Sequence, residues 1–236
     1  MPEAKPFDPR VPLLLLLSVT TGMVDAASVL GLGKVFTANM TGNVVFLGFA
    51  VAGTPGFTWP PFVVAIASFL VGALIGGRTG QAHAGRTERS WLMTAATVET
   101  ALLWVAAAFA IGLGIEPTNP ESARLFAIIA LTGLAMGFRN ATIRQMKVAD
   151  LTTTVLTLTL TGLAADSSVA GGANPNWGRR VAAIVAIFIG AALGAAMLIG
   201  FGLAAPLAVA GALVLAGTAG CAAHPAAGAI VKDAKG

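Results

Sequence analysis

The sequence predicts an all-α protein that crosses a membrane several times. Of its 236 residues, 56% are apolar and 10% are charged, whereas soluble domains carry charge at about 25% of their positions. The charges also lie in short segments between long apolar stretches. A soluble chain of this length would need far more polar residues to cover its core. We therefore expect a lipid bilayer around the chain and no soluble globular domain.

Composition argues against several other classes of protein. The net charge is +4, but no basic stripe is interleaved with aromatic residues, so we expect no nucleic-acid partner. A single cysteine, Cys221, excludes an internal disulfide framework. The two histidines, His83 and His224, lie far apart in the sequence, so we expect no metal site. We expect no cofactor.

Six apolar stretches are long enough to cross a bilayer as helices, which takes about 20 largely apolar residues. Lys5 and Arg10 precede the first of them, as in a signal peptide. Because Asp25 lies next to the supposed cleavage site, we expect this span to stay in the protein. The six predicted spans cover residues 11–32, 60–80, 91–113, 122–142, 180–200 and 203–223.

Two further apolar stretches, at residues 39–53 and 151–165, are shorter. Each has 15 residues and is rich in Thr, Gly or Asn. That length is too short to span comfortably and is typical of a re-entrant segment or a buried half-helix. The fold class is therefore a polytopic membrane protein of six transmembrane helices plus two half-helices.

The positive charges predict how the chain crosses the membrane. With six spans and a cytoplasmic N-terminus, 12 of the 14 Lys and Arg residues lie on the cytoplasmic side. If both short stretches also crossed, the division would be seven to seven. Because basic residues concentrate on the cytoplasmic side, we expect six spans with both termini in the cytoplasm of a bacterial inner-membrane protein.

A weak internal repeat runs through the sequence. The matching segments are 22–27 with 137–142, 34–41 with 145–152, and 72–76 with 190–194. Their offsets are 115, 111 and 118 residues, so their order is kept. Since each half has an odd number of spans, we expect a first repeat at 1–115 and an inverted second repeat at 116–236. Inverted repeats are typical of secondary transporters.

The first repeat carries a family motif. Residues 21–26 read TGMVDA and residues 38–43 read ANMTGN. These strings resemble the YoaK family of bacterial membrane proteins, and the resemblance extends over essentially the whole chain. It implies a small multi-span protein of the inner membrane and brings no particular substrate with it.

Ionisable residues inside the spans are the first candidates for a functional site. A carboxylate at the bilayer centre costs about 2.5–3.5 kcal/mol to insert, so such groups face a cavity or a partner. Asp25 is expected to bind an ion or proton, or else to pair with Arg139 or Lys34. Glu99 is a second protonatable group, or else a buried interhelical hydrogen-bonding group. Asn140 replaces Asp25 in the second repeat, and Arg139 beside it is expected to anchor the interface.

The starts of the two half-helices supply the remaining candidates. Asn39 and Asp150 occupy equivalent positions and belong to the residue types preferred as helix N-caps. Capping alone would explain them, but a half-helix that begins inside the membrane also points its positive end at a cavity. The predicted substrate- or ion-binding residues are Asp25, Asn39, Thr41, Asn43, Glu99, Asn140, Asp150, Thr152 and Thr153.

These features predict a small secondary transporter or permease. It would move a small polar solute by alternating access, coupled to an ion or proton. A passive channel and a non-catalytic accessory or scaffold subunit stay open as alternatives. We expect no enzyme, because the sequence has no nucleophile–base pair or metal-binding motif. The small size favours a homodimer.

Overall fold

The computed structural model describes residues 8–115, 122–148 and 156–228, and its regular elements in these ranges are all helices. The α-helices are connected by short loops, and two single 3-10 turns lie at Ser168–Ala170 and Pro225–Gly228. In chain order the helices are α1 (Arg10–Gly31), α2 (Met40–Val51), α3 (Trp59–Ala82), α4 (Glu88–Phe109), α5 (Ala123–Met146), α6 (Leu156–Ala165), α7 (Trp177–Phe201) and α8 (Ala204–Ala223).

Six of these helices are long and apolar enough to cross a membrane, and α2 and α6 are shorter apolar helices. Large apolar side chains such as Leu70 of α3 and Phe188 of α7 are 62% and 72% exposed, as suits side chains that face lipid. The predicted fold class and the number of spans are confirmed, and the chain is a multi-pass membrane protein. The ends of the helices differ from the predicted spans by up to four residues. The first part of the predicted second half-helix, residues 151–155, lies outside the described residues.

Helices α1 and α7 pack against each other through glycines and run parallel. Val19 of α1 contacts Gly190 of α7, and one turn later Met23 contacts Gly194. A Cβ atom on Gly194 would lie 2.7 Å from the Cα atom of Met23, so the two backbones touch. Glycine at such contacts lets transmembrane helices approach closely.

Helices α3 and α5 are in contact in the same way. Leu134 of α5 contacts Gly72 of α3, and Phe138 contacts Gly76 one turn later. These α5 positions follow their α1 counterparts by 115 residues, and the two α3 glycines precede their α7 counterparts by 118. The offsets are those of the sequence repeat.

Helix α4 runs antiparallel to α8. The Thr100 hydroxyl donates a hydrogen bond to the carbonyl of Gly211 at 3.0 Å, and Trp104 Nε1 donates to the earlier carbonyl of Ala208 at 3.1 Å. Had α2 and α6 both crossed the membrane, α4 and α8 would point the same way. The six long helices therefore alternate in direction, and α1 begins on the face of the helix layer where α8 ends. We call this the terminal face.

Helix α2 begins inside the helix layer. The amide of Ala38, two residues before α2, donates to Asp25 Oδ1 at 3.2 Å. Because Asp25 lies six residues before the end of α1, this contact is about 9 Å below that end. The rings of Phe46 and Phe57 pack 5.3 Å apart, so α2 returns towards the start of α3. This is the geometry expected of a re-entrant half-helix.

Candidate functional site

A buried ion pair joins three helices near the middle of the layer. Arg139 of α5 is 1% exposed and Glu99 of α4 is 4% exposed. Arg139 Nε donates to Glu99 Oε1 at 2.6 Å, and Nη2 donates to the same oxygen. Arg139 Nη1 donates to the Leu17 carbonyl at 3.1 Å and to Thr21 Oγ1 at 2.9 Å on α1. Because a buried charge must be paired and hydrogen-bonded, this network is what allows Arg139 to lie here.

The expectation that Arg139 anchors the membrane interface is wrong. Helix α5 continues to Met146, four residues beyond the predicted span. Arg139 therefore lies about 10 Å inside the end of its helix. Glu99 lies at the same depth on the antiparallel α4 and neutralises the charge of Arg139. The sequence left Glu99 open as a protonatable site or as a buried interhelical hydrogen-bonding group. The structure shows the interhelical contact, in the form of an ion pair with Arg139.

Asp25 has no such counter-ion. Within the described part of the chain, no Lys, Arg or His nitrogen lies within 4.0 Å of its carboxylate. The pairing with Arg139 or Lys34 left open by the sequence is absent: Arg139 bonds Glu99, and Lys34 Nζ lies 4.9 Å from the centre of the Phe57 ring. The backbone amides of Thr37 and Ala38 face the Asp25 carboxylate instead.

Asn43 holds the loop that carries these amides. It is fully buried, its Oδ1 accepts from the Phe36 amide at 2.9 Å, and its Nδ2 donates to the Phe36 carbonyl at 2.6 Å. Both ends of the side-chain amide are therefore used within the protein. The geometry gives Asn43 a positioning role, because it fixes the segment that Asp25 contacts.

The other predicted residues of the first half-helix are exposed. Asn39 precedes α2, but its side chain makes no capping hydrogen bond, so the capping expectation is wrong for this residue. Thr41 is also exposed. Sequence reasoning missed Thr37, which is fully buried and whose hydroxyl has no hydrogen-bond partner. Its position four residues before Thr41, between the two motif strings, was the available signal.

Of the predicted site residues in the second repeat, the structure describes Asn140 of α5. Asn140 is partly buried beside Arg139, and its Nδ2 donates to the Met136 carbonyl at 2.8 Å. It has other contacts as well. The remaining predicted residues lie outside the described residues: Asp150, Thr152 and Thr153.

A small cavity adjoins the ion pair on the side of the terminal face. Its volume is about 20 Å³, enough for roughly one water molecule. Glu99 and Arg139 form one end of it, and the hydroxyl-bearing residues Thr142 and Thr218 line its wall. The remaining lining is apolar and comes from α1, α4, α5 and α8.

Comparison with known proteins identifies the family. Residues 13–220 match the model of the family described as "Protein of unknown function (DUF1275)". The chain belongs to this family. It is 32% identical over 163 residues to the UPF0700 transmembrane protein YoaK of Bacillus subtilis (strain 168). The aligned residues cover 67% of this chain and 68% of that relative. The resemblance to the YoaK family is thereby confirmed. No solved structure matches the chain.

Proposed function

We propose that this protein is a small secondary transporter, which moves a small polar solute by alternating access and couples that movement to a proton or another cation. The observation that carries the proposal is Asp25. It is a carboxylate within a membrane-spanning helix, it faces the start of a half-helix, and no cation among the described residues pairs with it. Such a group is costly inside a bilayer and is kept where it binds or carries a charge.

The charges around Asp25 favour a positively charged coupling ion. When Asp25, Glu99 and Arg139 are all ionised, the three side chains sum to one negative charge. The amides of Thr37 and Ala38 stabilise that charge only in part. One proton or monovalent cation would neutralise the group, whereas an anion would add a second negative charge. We therefore assign the coupling role to Asp25, and the role of a barrier within the pathway to the Glu99–Arg139 pair.

We also propose that residues 1–115 and 116–236 form an inverted repeat. Three observations support it: α1 contacts α7 as α5 contacts α3, the contact positions follow the offsets of 115 and 118 residues, and α1 and α5 run in opposite directions. Two halves of this kind can rock against each other and expose a midplane site to each face in turn.

The solute would bind at the starts of the half-helices. Asn39 and Thr41 present exposed amide and hydroxyl groups at the start of α2, where the positive end of the helix lies. The basic residues at the terminal face, among them Arg86 and Arg89, make this the cytoplasmic face by the positive-inside rule.

The alternatives predict different behaviour. A passive channel needs a continuous pathway, and the Glu99–Arg139 pair with its bonds to Leu17 and Thr21 crosses the centre of the layer. That network favours a gated transporter. An accessory subunit needs a partner, and would show no solute movement on its own. We propose no catalytic role.

Solute flux into proteoliposomes tests the proposal. Purified protein would be reconstituted and tested with a panel of small polar solutes, with protein-free vesicles as the background. We expect saturable uptake of at least one solute and exchange of internal for external solute. Uptake that never saturates would indicate a channel. Folded protein that moves no solute would contradict the proposal and favour the accessory subunit.

A further inference from the structure

The cavity beside the ion pair contains polar groups that the protein leaves unused. Glu99 uses only Oε1 to bind Arg139, and its Oε2 accepts no hydrogen bond from any described residue. Thr218 is 4% exposed, and its hydroxyl likewise bonds to no described residue. Both residues line the cavity. Among the described residues, the fully enclosed side-chain polar atoms without a partner are Thr37 Oγ1 and Trp91 Nε1, so Glu99 Oε2 and the Thr218 hydroxyl each keep some accessible surface. Since both residues line the cavity, these two atoms are open to a molecule inside it.

The cavity suits one water molecule better than it suits an alkali cation. Its volume of about 20 Å³ accommodates a single water. That water would donate to Glu99 Oε2 and to Thr142 Oγ1, whose own proton is donated to the Phe138 carbonyl, and it would accept from the Thr218 hydroxyl. An alkali cation would have few oxygen ligands here and would lie beside the Arg139 guanidinium, which repels it.

The cavity lies on the path from the terminal face to Glu99. Its lining residues include Leu13 near the start of α1, Leu92 near the start of α4 and Met146 at the end of α5. All three helix ends are at the terminal face. On the far side of the ion pair, Val24 and Leu103 are fully buried in an apolar core cluster. The cavity next to Glu99 therefore lies on the side of the terminal face.

We propose that this cavity is a proton-access site, which holds a water that delivers protons from the terminal face to Glu99. A proton that arrives on this water passes to Glu99 Oε2 and leaves the water neutral. The protonated carboxyl no longer offsets the charge of Arg139, so the link between α4, α5 and α1 weakens. This inference rests on the proposed function and deepens it, because it makes the Glu99–Arg139 barrier open on protonation and names the terminal face as the side from which that proton comes.

The charged and titratable groups around Glu99 come from every helix packed against α4. Helix α5 contributes Arg139, which contacts Glu99 directly. Helix α8 contributes Cys221, α3 ends near His83, which contacts Thr94, and the turn after α8 follows His224. Asp25 on α1 lies one turn beyond Thr21, which Arg139 contacts. Of these groups, only Arg139 contacts Glu99.

Infrared difference spectra of the reconstituted protein test the proposal without any solute. The protein would carry carbon-13 in its glutamate carboxyl groups, so that a protonated glutamate is recognised by its shifted carbonyl band. Vesicles sorted by orientation allow the pH to be lowered at one face at a time. We expect a buried, protonated glutamate band only when the terminal face is acidified. An equal response to the opposite face, or the absence of such a band at any pH, would overturn the proposal.

Two threonine variants test the water itself. Thr218→Val removes the hydroxyl that anchors the water and keeps the side-chain shape. Thr97→Val is the matched control, because Thr97 is exposed on the same helix as Glu99 and its hydroxyl bonds only the Met93 carbonyl. We expect Thr218→Val to slow the appearance of the band by roughly three- to tenfold, the effect of one hydrogen bond. Equal rates in the two variants would contradict the proposal. Because the infrared experiment uses no solute, its outcome tests the proton-access site even if the protein shows no solute transport.

Discussion

The glycine contacts between helices give the sharpest structural prediction. Gly22 of α1 faces α7, where an added Cβ would lie 2.7 Å from the amide nitrogen of Ala191. Gly137 of α5 faces α3, where the Cβ would lie 2.9 Å from the nitrogen of Ala73. Optimal carbon contacts are about 3.5–4.0 Å. Because the opposing atoms are backbone, neither substitution can be accommodated by a change of rotamer.

The magnitude follows from the separation that each alanine requires. To restore normal contacts, the helices must move apart by about 1 Å, and a gap of that size forfeits up to about half of the dispersion energy of the surrounding contacts. We expect Gly22→Ala and Gly137→Ala each to lower the free energy of unfolding by about 1–3 kcal/mol. The two losses should be similar, because the two glycines occupy equivalent places in the two halves.

Denaturation in mixed micelles titrated with SDS and followed by circular dichroism would measure these losses. Gly200→Ala is the matched control, since a Cβ on Gly200 in α7 meets nothing within 4 Å. It should leave stability unchanged or raise it by up to about 1 kcal/mol through helix propensity. If all three variants behaved alike, the close packing of the helix pairs would be refuted. A loss at Gly22 without one at Gly137 would refute the equivalence of the halves.

Two further predictions concern the site. Arg139→Met alone should lower the free energy of unfolding by about 3–5 kcal/mol, because Glu99 is left as an unpaired buried charge. The double variant Arg139→Met with Glu99→Leu should recover most of that loss. Additive losses in the same SDS titration would show that the two residues do not act as a pair. Asn43→Ala should lower stability by about 1–3 kcal/mol, because it leaves the partly buried Phe36 amide without its hydrogen-bond acceptor. Thr41→Ala, two residues away on the exposed face, should change stability by less than about 0.5 kcal/mol, and equal effects of the two variants would contradict the positioning role of Asn43.

The transmembrane architecture was accessible from the sequence for physical reasons. Lipid requires about 20 apolar residues for a span, so the lengths of the apolar stretches are enough to count six helices. The glycines at residues 72–76 and 190–194 identify positions where backbones meet, and the structure shows them in contact with α5 and α1. The sequence could not tell which helices they would contact.

The site was harder to predict because it depends on the register between helices. Glu99 and Arg139 lie 40 positions apart, and no periodicity within either helix shows that they meet. Arg139 was assigned to the interface because the end of α5 was placed four residues early. Thr37 directly precedes the motif string at residues 38–43, but only its burial in the folded loop shows that its hydroxyl has no partner.

Asp25 carries the central claim of coupled transport. Once the solute is identified, two reactions of the proteoliposomes separate coupling from solute binding: accumulation driven by a proton gradient, and exchange of labelled for unlabelled solute without a gradient. The comparison is between the wild-type protein, Asp25→Asn, and Asp8→Asn as a control. Asp8 lies at the terminal face, where it pairs with Arg10.

We predict that Asp25→Asn abolishes accumulation driven by the gradient and retains exchange, because the solute still binds but no carboxylate carries the coupled charge. Asp8→Asn should retain both reactions. Accumulation by Asp25→Asn at the wild-type rate, with folded protein confirmed by gel filtration, would contradict the coupling role of Asp25.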